Sequence, residues 1–426
     1  MLDRGIRKWD LVLLTINSIV GAGIFGLPSK LFALSGPYSL LAFFCCALIA
    51  IVFIFCFAEV SSQFDKTGGP YTYAVFSFGR TAAFGMGWLV SLGRWFNYAT
   101  LINLLVTYLA HFIPSINSTW PRAGFIVGLS AFFTFINYIG LKNSTRLTNI
   151  FTIAKLVPLL LFVVIGLMFI KPGAFTPVEP FSFPDFSTCV LLLVFAFGGY
   201  ESVLINSGEI RNPRKNLPFA LILSTVFVAI LYCLIQAVCI GTLPGLAGSD
   251  RPLSDAANAF AGPIGATIIA AGAAVSIFAT LNGIMLGGSR MPFALSQEKQ
   301  FPKIFSFVHP KFQTPTWSLL LFAVVGTGIS LAWGFLAALT IGTIIRVLIY
   351  LVVCFSLLKL RRIRKKEEMP FRAPFGRVLA IAAVFISGWL LLSSKWTELR
   401  DVAICIAAGF VLYGVYLLFR EKENDE

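Results

Sequence analysis

Charge is what this chain has least of. Of its 426 residues only 12% are Asp, Glu, Lys or Arg, and the acidic residues number 19. Soluble domains carry about 25% charged residues. So little charge cannot clothe the two or three water-exposed domains that the length would otherwise suggest. Histidine is scarcer still, with His111 and His309 alone. The eight cysteines include no C-x-x-C pair and all lie in or beside apolar stretches. A disulfide scaffold or a Cys/His metal centre therefore has little support, and no metal or cofactor is expected. No Walker-type phosphate loop is present, which argues against direct nucleotide drive. Without a convergent nucleophile, base or metal set, an enzyme is not expected either, and no residue is assigned a catalytic role.

What fills the chain is apolar. Hydrophobic residues make up 58% of it, and the mean hydropathy is +0.86. About 20 consecutive apolar residues cross the hydrocarbon core of a bilayer as a helix. Such runs predict an all-α membrane protein with twelve spans, near 10–34, 38–62, 78–112, 122–140, 147–170, 186–208, 216–242, 263–292, 316–333, 336–358, 375–392 and 402–420. The third and eighth are long enough to tilt or to project beyond the bilayer. The first is too long for a signal peptide and has no small-residue cleavage site, so no removable leader is expected.

The net charge of +14 could point to nucleic acid, but its distribution gives a topological account. With the N-terminus inside, 24 of the 33 Lys and Arg residues fall in inner segments, six in outer segments and three within spans. That bias is the positive-inside pattern. It predicts both termini in the cytoplasm of a multi-pass inner (plasma) membrane protein, with no nucleic-acid partner. The expected organisation is a core over 1–358, a basic cytoplasmic loop over 359–374, and two final helices with a short tail over 375–426.

Glycine interrupts two spans. The first contains Gly21-Ala22-Gly23-Ile24-Phe25-Gly26-Leu27-Pro28, and the sixth contains Phe195-Ala196-Phe197-Gly198-Gly199-Tyr200-Glu201-Ser202. Either run alone also suits a small-residue packing face. Their positions favour breaks. Spans one and six are equivalent if ten helices form two five-helix repeats, and an odd repeat inverts in the membrane. Paired broken helices at the midplane mark substrate sites in such folds. Half-helix N-termini offer free N–H groups to an anion, and the opposing carbonyls suit a cation or an ammonium. An amino acid carries both groups on one carbon.

These residues resemble the amino acid–polyamine–organocation (APC) superfamily of permeases. The Gly21 to Pro28 run is similar to the family's opening segment, G-x-G-I-F-x-x-P. Ala58-Glu59 with Gly68-Gly69-Pro70-Tyr71-Thr72-Tyr73 resembles its pattern after the second helix. Glu209 to Pro218 resembles the loop after the sixth helix, and Phe301-Pro302-Lys303, His309-Pro310-Lys311 and Thr314-Pro315 resemble the loop before the ninth. The resemblance covers about 1–360, and the last two helices are generic. It implies a LeuT-like five-plus-five inverted repeat with helices one and six broken. It also implies a substrate carboxylate on the backbone of Ala22, Gly23 and Ile24, and an amine at carbonyls around Ile19 and from Phe195 through Ala196 to Gly198. Phe195 matches an aromatic gating position of arginine–agmatine antiporters. Gly198 stands where those antiporters have a larger residue.

Ionisable residues inside spans are costly and default to functional hypotheses. By resemblance, Lys155 replaces a sodium ion of related transporters and bonds the first helix. Its protonation state would then couple transport to protons. The alternative is a lysine that snorkels to the interface. Glu201 resembles the proton-sensing glutamate of the antiporters, or it is a structural partner. Glu59 is expected to order a cytoplasmic gate. Arg94 and Arg346 lie on spans that line the side-chain pocket in this fold. Arg94 either reads an acidic or polar substrate group or pairs with Glu201. The expected function is secondary active, proton-coupled amino-acid uptake by alternating access. Exchange of a cationic amino acid for its amine is the rival, and a non-transporting nutrient receptor a weaker one. The expected partners are a small amino acid or amine, protons and the lipid bilayer.

Overall fold

The computed structural model describes residues 7–425 apart from 65–68, 141–144, 178, 202, 204–209, 365–368 and 370. Motif residues Gly68 and Glu209, and the basic residues Lys66, Lys142, Lys365 and Lys366, lie outside the described residues. All described elements are helical. In chain order they are α1 (Lys8–Ile19), α2 (Gly23–Ser35), α3 (Ser39–Ser61), α4 (Pro70–Phe78), α5 (Arg80–Leu109), α6 (Thr119–Tyr138) and α7 (Thr145–Gly166). Then come α8 (Phe183–Phe197), α9 (Pro213–Thr242), α10 (Pro252–Gln297), α11 (Thr316–Ala332), α12 (Phe335–Ile363), α13 (Gly376–Leu392) and α14 (Trp396–Asp425), with short 3₁₀ turns between some of them.

Helix is what an apolar medium demands, because each backbone group then finds its partner within the segment. Among the described residues, six helical segments are long and apolar enough to cross a membrane. Four shorter apolar helices accompany them. Large apolar side chains such as Val164, Val324 and Phe385 face outward, as hydrocarbon allows. Proline opens α4, α9 and α10, where its missing N–H has no cost.

Several boundaries differ from the hydropathy reading. The run predicted over 78–112 is the single helix α5, and a further helix, α4, precedes it across Gly79, whose φ of 87° turns the chain between them. The run predicted from 263 is preceded by a helical segment, joined to it at Gly262 with φ 67°. α12 continues to Ile363, so Lys359, Arg361 and Arg362 stand on a helix rather than in a loop.

The two glycine-rich runs are breaks. α1 stops at Ile19, Val20 is extended, and α2 starts at Gly23. α8 stops at Phe197, Gly198 is extended, and Gly199 has φ 111°. That conformation favours glycine. A side chain at Gly199 would also overlap the Ser18 carbonyl oxygen. A Cβ on Gly23 would sit 2.7 Å from both Cα and Cβ of Ala196. Each break therefore leans on the other. Beyond them, α2 closes tightly on α5 and α12: a Cβ on Gly26 would lie 2.5 Å from Phe335 and 3.0 Å from Leu104. The Tyr108 hydroxyl donates to the Phe25 carbonyl at 2.8 Å. α5 runs through the middle of the bundle against α10, α11 and α12.

Glu59 belongs to this framework. Its carboxylate accepts from Arg361 Nε at 2.6 Å and Nη2 at 2.7 Å, and from the Ala373 N–H at 2.9 Å. Arg361 also donates to the Ala373 carbonyl at 3.0 Å. The glutamate is fully buried. One carboxylate thus ties α3 to the last turn of α12 and to the approach to α13. Removing one partner strands the other as a buried charge. Arg361→Met is expected to destabilise the fold by about 3–5 kcal/mol, read by chemical unfolding in detergent micelles. A change within about 0.5 kcal/mol would show that the pair adds nothing.

Candidate functional site

A cavity of about 650 Å³ lies between the two breaks and helices α5, α7, α10 and α12. It reaches from Ser18 and Phe195 at the breaks to Pro70, Arg290 and Met291, at the end of the bundle where α4 begins. Its lining brings together most of the ionisable residues singled out within the spans: Arg94, Lys155, Glu201 and Arg346. Glu59 is elsewhere, in the lock just described.

Lys155 projects from α7 onto the end of α1. Its Nζ donates to the carbonyls of Asn17 and Val20, each at 2.6 Å. Those carbonyls have lost their helical partners because α1 stops there. The lysine is 3% exposed and forms no ion pair with a described residue, so it does not snorkel to the surface. Tyr232 on α9 adds a second tie. Its hydroxyl lies 3.2 Å from the Ile19 carbonyl and 3.4 Å from the Ala196 carbonyl, so it spans both breaks.

Glu201 follows the second break. One carboxylate oxygen accepts from the Gly199 N–H at 2.6 Å. The other accepts from the Tyr350 hydroxyl and lies 3.8 Å from Arg346 Nε. Arg346 donates to the Phe195 carbonyl at 3.1 Å, with its guanidinium 5.6 Å from the Phe195 ring centre. It also occupies the volume that a side chain at position 198 would need. Gly198 is thus the notch into which Arg346 fits. The ion-pair partner of Glu201 is Arg346, not Arg94.

Arg94 lines the cavity from α5 with no hydrogen bond or ion pair to a described residue. Asn97, one turn further on, lines it too and is likewise unbonded among the described residues. The hydroxyl of Ser276 is buried in the lining without a partner among the described residues. Other polar neighbours hold helices together. Asn103 donates to the carbonyls of Ala99, Ser330 and Trp333, Tyr98 bonds Ser130, and Asn137 bonds Asn282.

The expected backbone contacts lie deeper. Ala22, Gly23 and Ile24 are buried behind the cavity wall, and Phe195 Cδ1 would be 3.3 Å from a Cβ on Gly23. Their N–H groups donate to no described residue. The carbonyls of Ile19 and Ala196 face the Tyr232 hydroxyl and keep a lone pair each for another donor, whereas the Phe195 carbonyl already accepts from Arg346 and from the Gly198 N–H at 3.3 Å. Tyr232 and Tyr350 were not singled out from the sequence. A tyrosine in an apolar span is ordinary, and only its hydroxyl partner marks it.

The family pattern described as "Amino acid permease" matches residues 6–419. The chain belongs to the amino acid permease family. This permease is a multi-pass membrane protein and a transporter, not an enzyme. It is 28% identical to the methylthioribose transporter of Bacillus subtilis (strain 168), over 97% of this chain and 94% of that protein. It is equally similar, at 28%, to the branched-chain amino acid permease BcaP of the same organism, over 100% and 95% of the two chains. The serine/threonine exchanger SteT, again of Bacillus subtilis (strain 168), is 28% identical over 99% of each chain.

The fit of Arg346 against Gly198 has a measurable signature. Gly198→Ala must displace the guanidinium, whereas the same change beside Arg346→Ala is relieved of that overlap. A double-mutant cycle on unfolding in micelles is expected to give a coupling of about 0.5–3 kcal/mol. Additive effects would mean that the arginine moves aside without cost.

Proposed function

We propose that this permease is a secondary active transporter that takes up an amino acid, driven by protons, through alternating access. The observation that carries the reading is the Lys155 ammonium seated on the broken end of α1 beside the cavity. A lysine that loses its proton there keeps only two uncharged N–H donors, so its hold on both carbonyls weakens. The end of α1 is then freer to shift. Proton loss and movement of a substrate-binding element become one event, which is what coupling requires.

The family resemblance supports twelve spans, with the first ten in an inverted five-plus-five repeat and α1/α2 and α8 as parts of the broken helices. In that arrangement residues 1–358 carry transport, 359–374 form a basic cytoplasmic segment, and 375–426 add two outer helices. Both termini lie in the cytoplasm of the inner (plasma) membrane. The cavity end at Arg290 is then cytoplasmic, and the tight contacts of Gly26 and Tyr108 close the far side.

The substrate carboxylate would meet the free N–H groups of Ala22, Gly23 and Ile24 at the start of α2, where the helix dipole favours an anion. Phe195 covers that place and would swing aside. The amine would use carbonyls around Ile19 and in the stretch from Phe195 through Ala196 to Gly198, where Ile19 and Ala196 keep a lone pair while Phe195 already accepts two donors. Arg346 and Glu201 hold the unwound stretch in shape, and Glu59 secures the framework. The rival exchange of a cationic amino acid for its amine is disfavoured by charge. The cavity lining holds Arg94, Lys155, Arg290 and Arg346 against Glu201, which is already paired.

Purified protein in liposomes decides the matter. The wild type is expected to accumulate at least one of the twenty amino acids when an inward proton gradient is imposed, and to lose it when a protonophore is added. Lys155→Gln is expected to abolish gradient-driven accumulation while exchange across preloaded vesicles survives. Gradient-driven accumulation by Lys155→Gln at the wild-type rate would remove the lysine from the coupling step.

A further inference from the structure

We propose that Arg94 binds a second anionic group on the transported molecule, so that the substrate is an acidic amino acid with a side-chain carboxylate. The inference rests on the amino-acid transport reading and narrows it to a class.

The contrast among the arginines carries the argument. Arg346 is committed to Glu201 and to the Phe195 carbonyl. Arg361 is committed to Glu59, and Arg122 to the carbonyl and side chain of Asn103. Arg94 alone of these four has no hydrogen bond or ion pair to a described residue, yet it faces the cavity beside the breaks. Its guanidinium is half-buried and feels Glu201 only without contact, so an arriving anion would be its first directly bonded partner among the described groups. The planar fork suits the two oxygens of a carboxylate.

The surroundings leave room for such an anion, and no described carboxylate is bonded to Arg94 in its place. A Cβ on Gly287 would stand 3.2 Å from Arg94 Nη1, so glycine there keeps the guanidinium unobstructed. The carboxylate oxygens of Glu201 are taken by Gly199, Tyr350 and Arg346. The buried hydroxyl of Ser276, unpartnered among the described residues, lines the same cavity, and Asn97 flanks the arginine on α5. Both can add neutral hydrogen bonds. With the main carboxylate at the start of α2 and a second one at Arg94, both ends of a dicarboxylic amino acid are held. A lysine or arginine side chain would meet like charge in a low-dielectric space.

The test is uptake by reconstituted protein of labelled glutamate, aspartate, glutamine, asparagine, leucine and serine, with the wild type, Arg94→Gln and Arg94→Lys. The wild type is expected to prefer glutamate or aspartate over the matching amide. Arg94→Gln is expected to weaken the acidic substrate by about 30-fold or more, as truncating a buried charge pair does, and to favour the amide instead. Arg94→Lys should retain the acidic preference in reduced form. A wild type that carries neutral amino acids and ignores the acids overturns the inference while leaving amino-acid transport intact, and it needs no variant to fold. An equal loss of all amino acids in Arg94→Gln, with normal folding by thermal unfolding, would place Arg94 on the main carboxylate and overturn it too. Failure of folded wild type to carry any of the twenty amino acids would remove the transport reading itself, and this inference with it.

Discussion

A helix that stops inside an apolar bundle must give its last carbonyls to a donor that travels with the protein, because water is not freely at hand. That constraint organises the centre of this molecule. α1 ends at Ile19, and the ammonium of Lys155 takes the carbonyls of Asn17 and Val20. Tyr232 joins the Ile19 carbonyl to that of Ala196, so the two breaks share one hydroxyl. The opposing glycines at 23 and 199 let the broken ends touch backbone to backbone. The cavity exists where these ends leave off, and its shape is inherited from the way they are satisfied.

The cavity also shows how unequally two similar side chains can be used. Arg346 is absorbed by structure: it fills the empty place at Gly198, holds the Phe195 carbonyl and neutralises Glu201. Arg94 is left without a hydrogen bond or ion pair to a described residue and feels Glu201 only without contact. Both outcomes depend on glycines, at 198 for the first and at 287 for the second. Charge complementarity in the site is therefore decided as much by missing side chains as by present ones.

Much of this was legible in the sequence because membranes punish exceptions. Charge in an apolar run is conspicuous, and it picked out Arg94, Lys155, Glu201 and Arg346, which do meet at one cavity. Paired glycine-rich runs marked the breaks. The sequence could not assign Glu201 to one of two arginines, because the choice turns on the space at Gly198. It also missed Tyr232 and Tyr350, whose apolar rings look like any other core residue until the hydroxyl's partner is seen. Hydropathy misplaced the end of α12 because Arg361 looks like a solvated loop charge, whereas Glu59 allows it to be buried on a helix. The predicted runs begin close to the positive-φ turns at Gly79 and Gly262, but the helical segments that precede those turns were not read from the sequence.

The lock at Glu59 has a further meaning for movement. It joins α3 to α12 through a fully buried carboxylate, a guanidinium almost withdrawn from solvent and a backbone N–H. If α3 swings away from α12, each of these groups must be hydrated in the gap that opens. Separation at that end is then a wetting transition, in which water has to enter before the helices can part. Its rate would follow the activity of water, and a concentrated osmolyte would slow the transporter's cycle without touching its substrate site.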